Sequence, residues 1–474
     1  MHMLSRSRKP SRLITPTYDV VIIGGGSAGM AAIDGAKAAG AKSVCVIESE
    51  DRLGGECSYW ACVPTKAMLK AAKLYHLAKF TLGRYGIRTG QVTYDFAAIL
   101  HRRDAVVRAI TGNGKRLLEF TKREKVVVKF GAAHFVSTTM IDVKGERLRA
   151  KAFVIATGSI EREPQLDGLE DVSLWYSRDV VTMQHLPKSV AIIGGGPVGS
   201  EFATLFGLLG VKTTLLEVGE HILPREDAEI AALAEGNLNY LGVQVQTKTK
   251  PLSIKRYGRG LKLTFQVGRK PRQSLVAERV IAVVGRKPRL EGLKLERAEI
   301  TLDDYGKLKL SSSLQTSKEH IFAAGDVSSH AQFTHVAAHE GYVAGWNAAQ
   351  VKLKGPTLKL EERVIPRITF VDPEVASVGL TVTEVTKAKK HFKILRFPFS
   401  ALGRAAIDGN RDGLLKVLIE PKTGQILGAH VTGERAGEIV HELALAMYAG
   451  VPLQTVQSML HAYPSWSEVI PAAK

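Results

Sequence analysis

The stretch Tyr18-Asp19-Val20-Val21-Ile22-Ile23-Gly24-Gly25-Gly26-Ser27-Ala28-Gly29-Met30 decides the fold. Four consecutive apolar residues read as a buried strand, and the glycines end it before a run of small residues with helical spacing. Gly24, Gly26 and Gly29 fit G-x-G-x-x-G, with Ser27 and Ala28 in the turn, and Glu48 closes the next apolar strand nineteen residues after Gly29. The first glycine permits the tight turn, and the second lets backbone approach a pyrophosphate. The third allows close helix packing, while the helix N-terminus favours the phosphate charge. Glu48 is placed to hold a ribose hydroxyl.

The device recurs 170 residues on, in Val190-Ala191-Ile192-Ile193-Gly194-Gly195-Gly196-Pro197-Val198-Gly199-Ser200-Glu201. That is an internal duplication of a nucleotide-binding unit. Here the glycines are Gly194, Gly196 and Gly199, Pro197 and Val198 fill the turn, and Glu217 ends a strand eighteen residues past Gly199. A carboxylate at that point accepts from a free 2′-hydroxyl and repels a 2′-phosphate, which favours NAD(H) over NADP(H). Arg225, eight residues further, reads as a surface residue. Two dinucleotide sites on one chain imply one tightly held flavin and one exchanging nicotinamide, hence an oxidoreductase.

Apolar runs Val154-Ile155-Ala156-Thr157-Gly158 and Ile281-Ala282-Val283-Val284-Gly285-Arg286 bracket the second unit and mark it as an insertion. The expected architecture is α/β, with two Rossmann-like domains followed by an α+β terminal domain. The first, for FAD, is discontinuous over 18–157 and 285–350, and the inserted NAD domain covers 158–284. A polar link around Lys352–Pro356 leads into a terminal domain over 357–474, with strands near Lys416–Ile419 and Ile426–Ala429 and a helix over Glu438–Ala449. Residues 1–17 read as a basic tail, since Arg6, Arg8, Lys9 and Arg12 come without the apolar core of a secretory signal.

At 474 residues the chain has length for about three domains. Its 45% hydrophobic and 23% charged residues place it among globular proteins, and no apolar run nears the roughly 20 residues of a bilayer crossing. Three cysteines, Cys45, Cys57 and Cys62, cannot form a disulfide scaffold, which points to a reducing, cytoplasmic location. Net charge is +19, thickest over Lys248–Arg272, where no acid intervenes. Few aromatics interleave there, so this run reads as a solvated basic face and not a nucleic-acid platform.

Cys57-Ser58-Tyr59-Trp60-Ala61-Cys62 is the remaining chemical signal. Residues five apart in a regular helix have Cα atoms about 8–9 Å apart, too far for a disulfide, so a bridge requires a distorted turn, which Pro64 favours. A strained bridge is more readily reduced and suits a catalytic pair. The alternative for the bare spacing is two unrelated buried thiols. Cys45 reads as a core thiol.

These motifs together resemble the class I pyridine nucleotide-disulfide oxidoreductases, the family of dihydrolipoamide dehydrogenase, glutathione reductase and mercuric reductase. The resemblance runs from Tyr18 to Glu468. It rests on both glycine fingerprints, Gly54-Gly55-Glu56-Cys57 through Cys62-Val63-Pro64-Thr65-Lys66, Ala156-Thr157-Gly158, Val284-Gly285-Arg286-Lys287-Pro288, Ile321-Phe322-Ala323-Ala324-Gly325-Asp326 and Asp372-Pro373-Glu374-Val375-Ala376-Ser377-Val378-Gly379. It implies that Cys62 faces the flavin, that Cys57 meets the substrate, and that Lys66 pairs with Glu201 beside the flavin. Gly55, Ala133, Thr157, Gly158 and Ser159 would join the FAD site, with Asp326 on the ribityl chain, and Gly285 would border the cofactors. Gln332, Phe333, Thr334 and His335 would open a helix toward the flavin's pyrimidine edge. His335 and His339 share a helical face and read as packing or solvent-exposed residues, not metal ligands. A homodimer, with the terminal domain as dimerisation domain, follows from the same likeness.

The chain departs from the family near its C-terminus. The family's acid-base histidine precedes a proline, and here Tyr463 stands before Pro464, with Glu468 in register and His461 two residues upstream. A tyrosine, ordinarily titrating near 10, is a poor base at neutral pH. Tyr59 and Trp60 are also larger than the residues usual between the cysteines. The first expectation is an FAD enzyme moving electrons between NAD(H) and a thiol/disulfide substrate through Cys57 and Cys62, as a dihydrolipoamide dehydrogenase does. The alternative is an NADH-dependent reductase of a quinone or metal ion, or a transhydrogenase. A redox sensor with little turnover would not need both cysteines, Lys66 and Glu201.

Overall fold

The computed structural model describes residues 15–328 and 331–474. The basic tail falls largely outside them, and Thr17 already belongs to the first strand. The chain divides into two compact units. One comprises the residues up to Gly55, Thr111–Ile160 and Lys287–Leu360, and the other comprises Glu56–Ile110, Glu161–Arg286 and Glu361–Lys474.

The first unit is built on a sheet in which Thr17–Ile23 lies between Val44–Glu48 and Glu146–Ile155, all parallel. Val127–Phe130 extends it beyond Val44–Glu48, and Ile321–Ala323 pairs with the C-terminal half of Glu146–Ile155. Val20, Val21 and Ile22 are fully buried, as expected for a strand covered on both faces. The helices Ser27–Ala38 and Thr334–Leu353 pack backbone to backbone, since a Cβ on Gly345 would lie 2.0 Å from Ala32 O. The second of these runs past Ala349 to Leu353, beyond the expected start of the polar link, and places Lys352 against Asp19. Its ammonium lies 2.9 Å from Asp19, and Lys151 reaches the same oxygen at 3.0 Å. Burial opposes ionisation of Asp19, but these lysines and the N–H groups of Ser43 and Lys42 outweigh it and hold the carboxyl well below its usual range.

The second unit contains a four-stranded parallel sheet in the order Gln244–Gln246, Lys212–Leu216, Ser189–Ile193, Arg279–Ala282. A three-stranded antiparallel meander over Thr249–Tyr257, Gly260–Val267 and Gln273–Ala277 carries the basic run. Ile254, Leu263 and Phe265 turn inward there, while Lys250, Lys255, Arg256, Arg259, Arg269 and Lys270 are exposed. A five-stranded antiparallel sheet follows in the order Arg367–Thr369, Glu374–Gly379, Ile426–Gly433, Leu414–Ile419, Lys393–Pro398, with the helix Ala436–Ala449 on one face. The segment Glu56–Ile110, read from the sequence with the first glycine unit, clusters in this second unit. Its helix Cys62–Phe80 buries Met68, Leu69 and Ala72 in the same apolar cluster as Phe202 and Phe206 of the helix Pro197–Leu208. Among the described residues no helix is long and apolar enough to cross a membrane.

Candidate active site

In the first unit Gly24 adopts φ +111°, and a Cβ on Gly29 would lie 1.8 Å from Gly24 O, so only glycines admit this strand-to-helix turn. The helix Ser27–Ala38 opens at Gly26 with no side-chain cap and no acid in its first turn, an end suited to an anion. Gly55 closes over the turn, where an added Cβ would come within 2.8 Å of Gly26 Cα. Glu48 is pinned at its strand end. Gly25 N–H donates to its Oε2 at 2.9 Å and Glu50 N–H to its Oε1 at 2.9 Å, leaving lone pairs for a diol.

Further along the same unit, Ser159 Oγ donates to Asp326 at 2.7 Å. The turn before Asp326 is held by Glu340, which is fully buried and accepts from Gly325 N–H at 2.6 Å and from Ser328 Oγ at 3.3 Å. Sequence reasoning passed over Glu340. It lies on the buried stripe with Val336, Ala337, Gly341 and Ala344, and an acid on such a stripe is the signal that could have found it. Thr157 Oγ1 donates to Arg289 O at 2.7 Å, Gly158 O accepts from Arg289 N–H at 3.0 Å, and Ala133 is buried in its strand Ala133–Ser137. Gln332 and Phe333 precede the helix that begins at Thr334, and the exposed His335 ring stacks on Phe333 at 5.4 Å. The glycine cradle, the uncapped helix and the pinned carboxylate fit the pyrophosphate and ribose of FAD.

In the second unit the same turn recurs. Gly194 has φ +109°, a Cβ on Gly199 would lie 1.9 Å from Gly194 O, and Glu217 accepts from Gly195 N–H and Gly219 N–H, each at 2.7 Å. Pro197 is the first residue of its helix, Val198 is 42% exposed, and Gly285 adopts φ +105°. These residues fit a dinucleotide with a free ribose diol.

Cys57 lies in the short helix Gly55–Tyr59, and Cys62 begins the helix Cys62–Phe80. The break between them falls at Trp60 and Ala61, ahead of Pro64, which sits in the first turn of the second helix, where its missing N–H costs nothing. Both cysteines are half-buried, Tyr59 is buried, and the Arg178 guanidinium stacks 4.1 Å from the Trp60 ring centre. Arg286 pairs with Glu56, directly before Cys57, and with Glu161 at 3.2 Å. Cys62 and Lys66 stand one helical turn apart on one face. Lys66 Nζ reaches both oxygens of the buried Glu201, at 2.9 and 2.7 Å, and lies 4.8 Å from the Phe370 ring centre, while Phe370 N–H donates to Glu201 at 3.1 Å. No sequence pattern pointed to Phe370 or Arg178. Cys45 stays in the core, where burial pushes its thiol up to about 12.

At the C-terminus Tyr463 is 78% exposed, with its hydroxyl beside Gly403. His461 is turned away from solvent. Its Nε2 lies 2.9 Å from Glu442 and its Nδ1 3.1 Å from Met459 O, so both ring nitrogens face oxygen acceptors. Glu468 accepts from Ser465 N–H at 2.9 Å and caps the turn Trp466–Glu468.

Comparison with known proteins agrees with this geometry. Residues 18–341 match the pyridine nucleotide-disulphide oxidoreductase family, and residues 365–474 match the dimerisation domain of the same family. The chain therefore belongs to the pyridine nucleotide-disulphide oxidoreductases. It is 37% identical over 459 residues to a dihydrolipoyl dehydrogenase of Thermus scotoductus, covering 95% of each chain. It is 32% identical over 469 residues to a dihydrolipoyl dehydrogenase of Bacillus subtilis, covering 96% of each. The solved HOCl-induced flavoprotein disulfide reductase RclA from Escherichia coli superposes with a TM-score of 0.83 at 25% identity, covering 96% of this chain and 99% of that one. The protein is an FAD-dependent oxidoreductase that passes electrons between NAD(H) and a thiol/disulfide substrate.

Proposed function

We propose that Cys57 and Cys62 form the redox centre of this enzyme, with Cys62 facing FAD and Cys57 exchanging with the substrate. The placement of Cys62 carries the proposal. Cys62 is the first residue of a 19-residue helix, at the end whose field favours a thiolate, and Lys66 follows one turn later on the same face. Bound FAD supplies the two-electron couple between NAD(H) and the cysteine pair. The chain's own part begins with position: Glu201 and the Phe370 ring hold the Lys66 ammonium, and the break at Trp60 and Ala61 sets the two cysteines on separate helices. In the reducing direction NADH and one solvent proton convert an S–S bond to two thiols, with release of NAD⁺. Dihydrolipoamide-like dithiols are the substrate class that the relatives favour.

We assign the FAD domain to 18–157 and 285–350, the NAD domain to 158–284 and the dimer-forming domain to 357–474. Exposed Leu445, Tyr448, Met459, Leu460 and Tyr463 support a homodimer built on that last domain. Three cysteines in the chain support a reducing, cytoplasmic setting. Replacing Cys57 or Cys62 with serine tests the redox assignment. NADH-dependent turnover of disulfides should fall by more than about a hundredfold with flavin content unchanged, and turnover near the wild-type rate would refute it.

One observation favours a second reading. Tyr463 stands where the family places its histidine, and both nitrogens of His461 are engaged. NADH-dependent reduction of a quinone or metal ion, or transhydrogenation, needs no such base. Restoring the histidine with Tyr463→His distinguishes the readings: a large gain in lipoamide turnover supports the thiol route, and no gain supports the second reading.

A further inference from the structure

The five-stranded sheet has one face on the helix Ala436–Ala449, and its other face carries a row of polar residues. The strand register aligns Arg367, Ser377, His430, Lys416 and Arg396 as successive neighbours across all five strands, with Thr432 two residues from His430 on the same face. Ser377 and His430 are fully buried, and Thr432 and Lys416 are nearly so. The segment Glu226-Asp227-Ala228-Glu229, leading into the helix Ala228–Tyr240, meets this row with three carboxylates. Lys416 pairs with Asp227 at 2.7 Å and Glu229 at 2.9 Å, Arg396 with Glu229 at 3.0 Å, and Arg367 with Glu226 at 3.3 Å.

The pairing leaves a remainder. Glu226 Oε2, Arg367 Nη2, Ser377 Oγ, His430 Nδ1 and Thr432 Oγ1 are all buried and have no hydrogen-bond partner in the protein. Buried polar atoms seldom stay unsatisfied, and five of them around one sheet face point to a ligand. Its chemistry follows from the donors and acceptors. His430 Nε2 donates to Leu380 O at 3.0 Å, which makes Nδ1 an acceptor. Glu226 Oε2 also accepts, Arg367 Nη2 donates, and the two hydroxyls do either. Three cations (Arg367, Lys416, Arg396) balance three carboxylates (Glu226, Asp227, Glu229). An anion would meet Glu226 and a cation would meet Arg367. The occupant must be neutral and must both donate and accept.

We propose that Arg367, Ser377, His430, Thr432 and Glu226 enclose a cluster of ordered water molecules that joins the terminal sheet to the entry of the helix Ala228–Tyr240. Buried waters make about three hydrogen bonds each, so five atoms call for about two of them.

The test is a high-resolution crystal structure of the FAD-loaded enzyme, repeated on crystals soaked in bromide. The expected result is two or more well-ordered waters bonded to Ser377 Oγ, His430 Nδ1, Thr432 Oγ1, Glu226 and Arg367, with no anomalous bromide peak among them. A dry site, direct pairing of these five atoms with one another, or a bromide peak would overturn the proposal. Thr432→Val deletes one anchor at nearly equal volume and should lose the water bonded to it. An unchanged water pattern in that variant would overturn the cluster as described.

Discussion

The two glycine turns of this chain are close copies that differ in what surrounds them. Gly24 and Gly194 share the same positive φ, Gly29 and Gly199 press equally on the carbonyls of the glycines five residues before them, and Glu48 and Glu217 both anchor on the adjacent glycine N–H. The first turn is covered, with Gly55 lying against Gly26. The second is open, since a Cβ on Gly196 would meet nothing within 4 Å, and Val198 and Val218 are 42% and 69% exposed. On the assignment proposed above, the covered turn takes the resident FAD and the open turn the exchanging NAD(H), one motif set in two different surroundings.

The largest effect is expected of Gly29→Ala, whose methyl has no room against Gly24 O. Flavin retention should collapse, with a flavin-to-protein ratio near zero and loss of folded yield. A sharper contrast comes from the middle glycines, where a methyl fits the protein but occupies the path of a pyrophosphate. Gly196→Ala should raise the KM for NADH by about tenfold, equivalent to about 1.4 kcal/mol, and leave flavin content intact, whereas Gly26→Ala should lower flavin content first. Glu217→Ala removes the carboxylate proposed to accept from the ribose diol and to repel a 2′-phosphate. The KM for NADH should rise by about tenfold, the scale of one hydrogen bond to a charged group, and the preference for NADH over NADPH should shrink.

The smallest effect concerns pH and the second unit alone. Burial holds His430 below its ordinary value of 6.5, against Asp227 and Glu226, which raise it, and Arg367, which lowers it, with Lys416 alongside in the row. The unfolded chain therefore binds the extra proton more readily. His430 contributes stability that is present above pH 6.5 and lost as pH falls below it. Thermal scans should show Tm falling on acidification through this window, and His430→Asn should flatten that slope.

Much of this molecule was legible in the sequence, for physical reasons that can be named. The glycine turns and their acids are local, fixed in spacing by backbone sterics, so Gly24 through Glu48 and Gly194 through Glu217 could be read directly. The pairing of Lys66 with Glu201 spans 135 residues, and only family resemblance suggested it. Glu340 under the Gly325 turn, Phe370 beneath Lys66, Arg178 on Trp60 and the polar row through His430 had no such guide. Each depends on which sheet face or helix stripe meets which neighbour, and pattern along one element does not carry that. The same limit explains the helix that continues through Lys352, since its partner Asp19 lies 333 residues away.

Whether electrons pass through Cys57 and Cys62, as proposed, is decided by anaerobic titration of the purified enzyme with NADH while the flavin spectrum is followed. A long-wavelength thiolate-to-flavin charge-transfer band should grow with the first equivalents of NADH and be absent in Cys62→Ser. Direct bleaching of the flavin without that band would contradict the proposal.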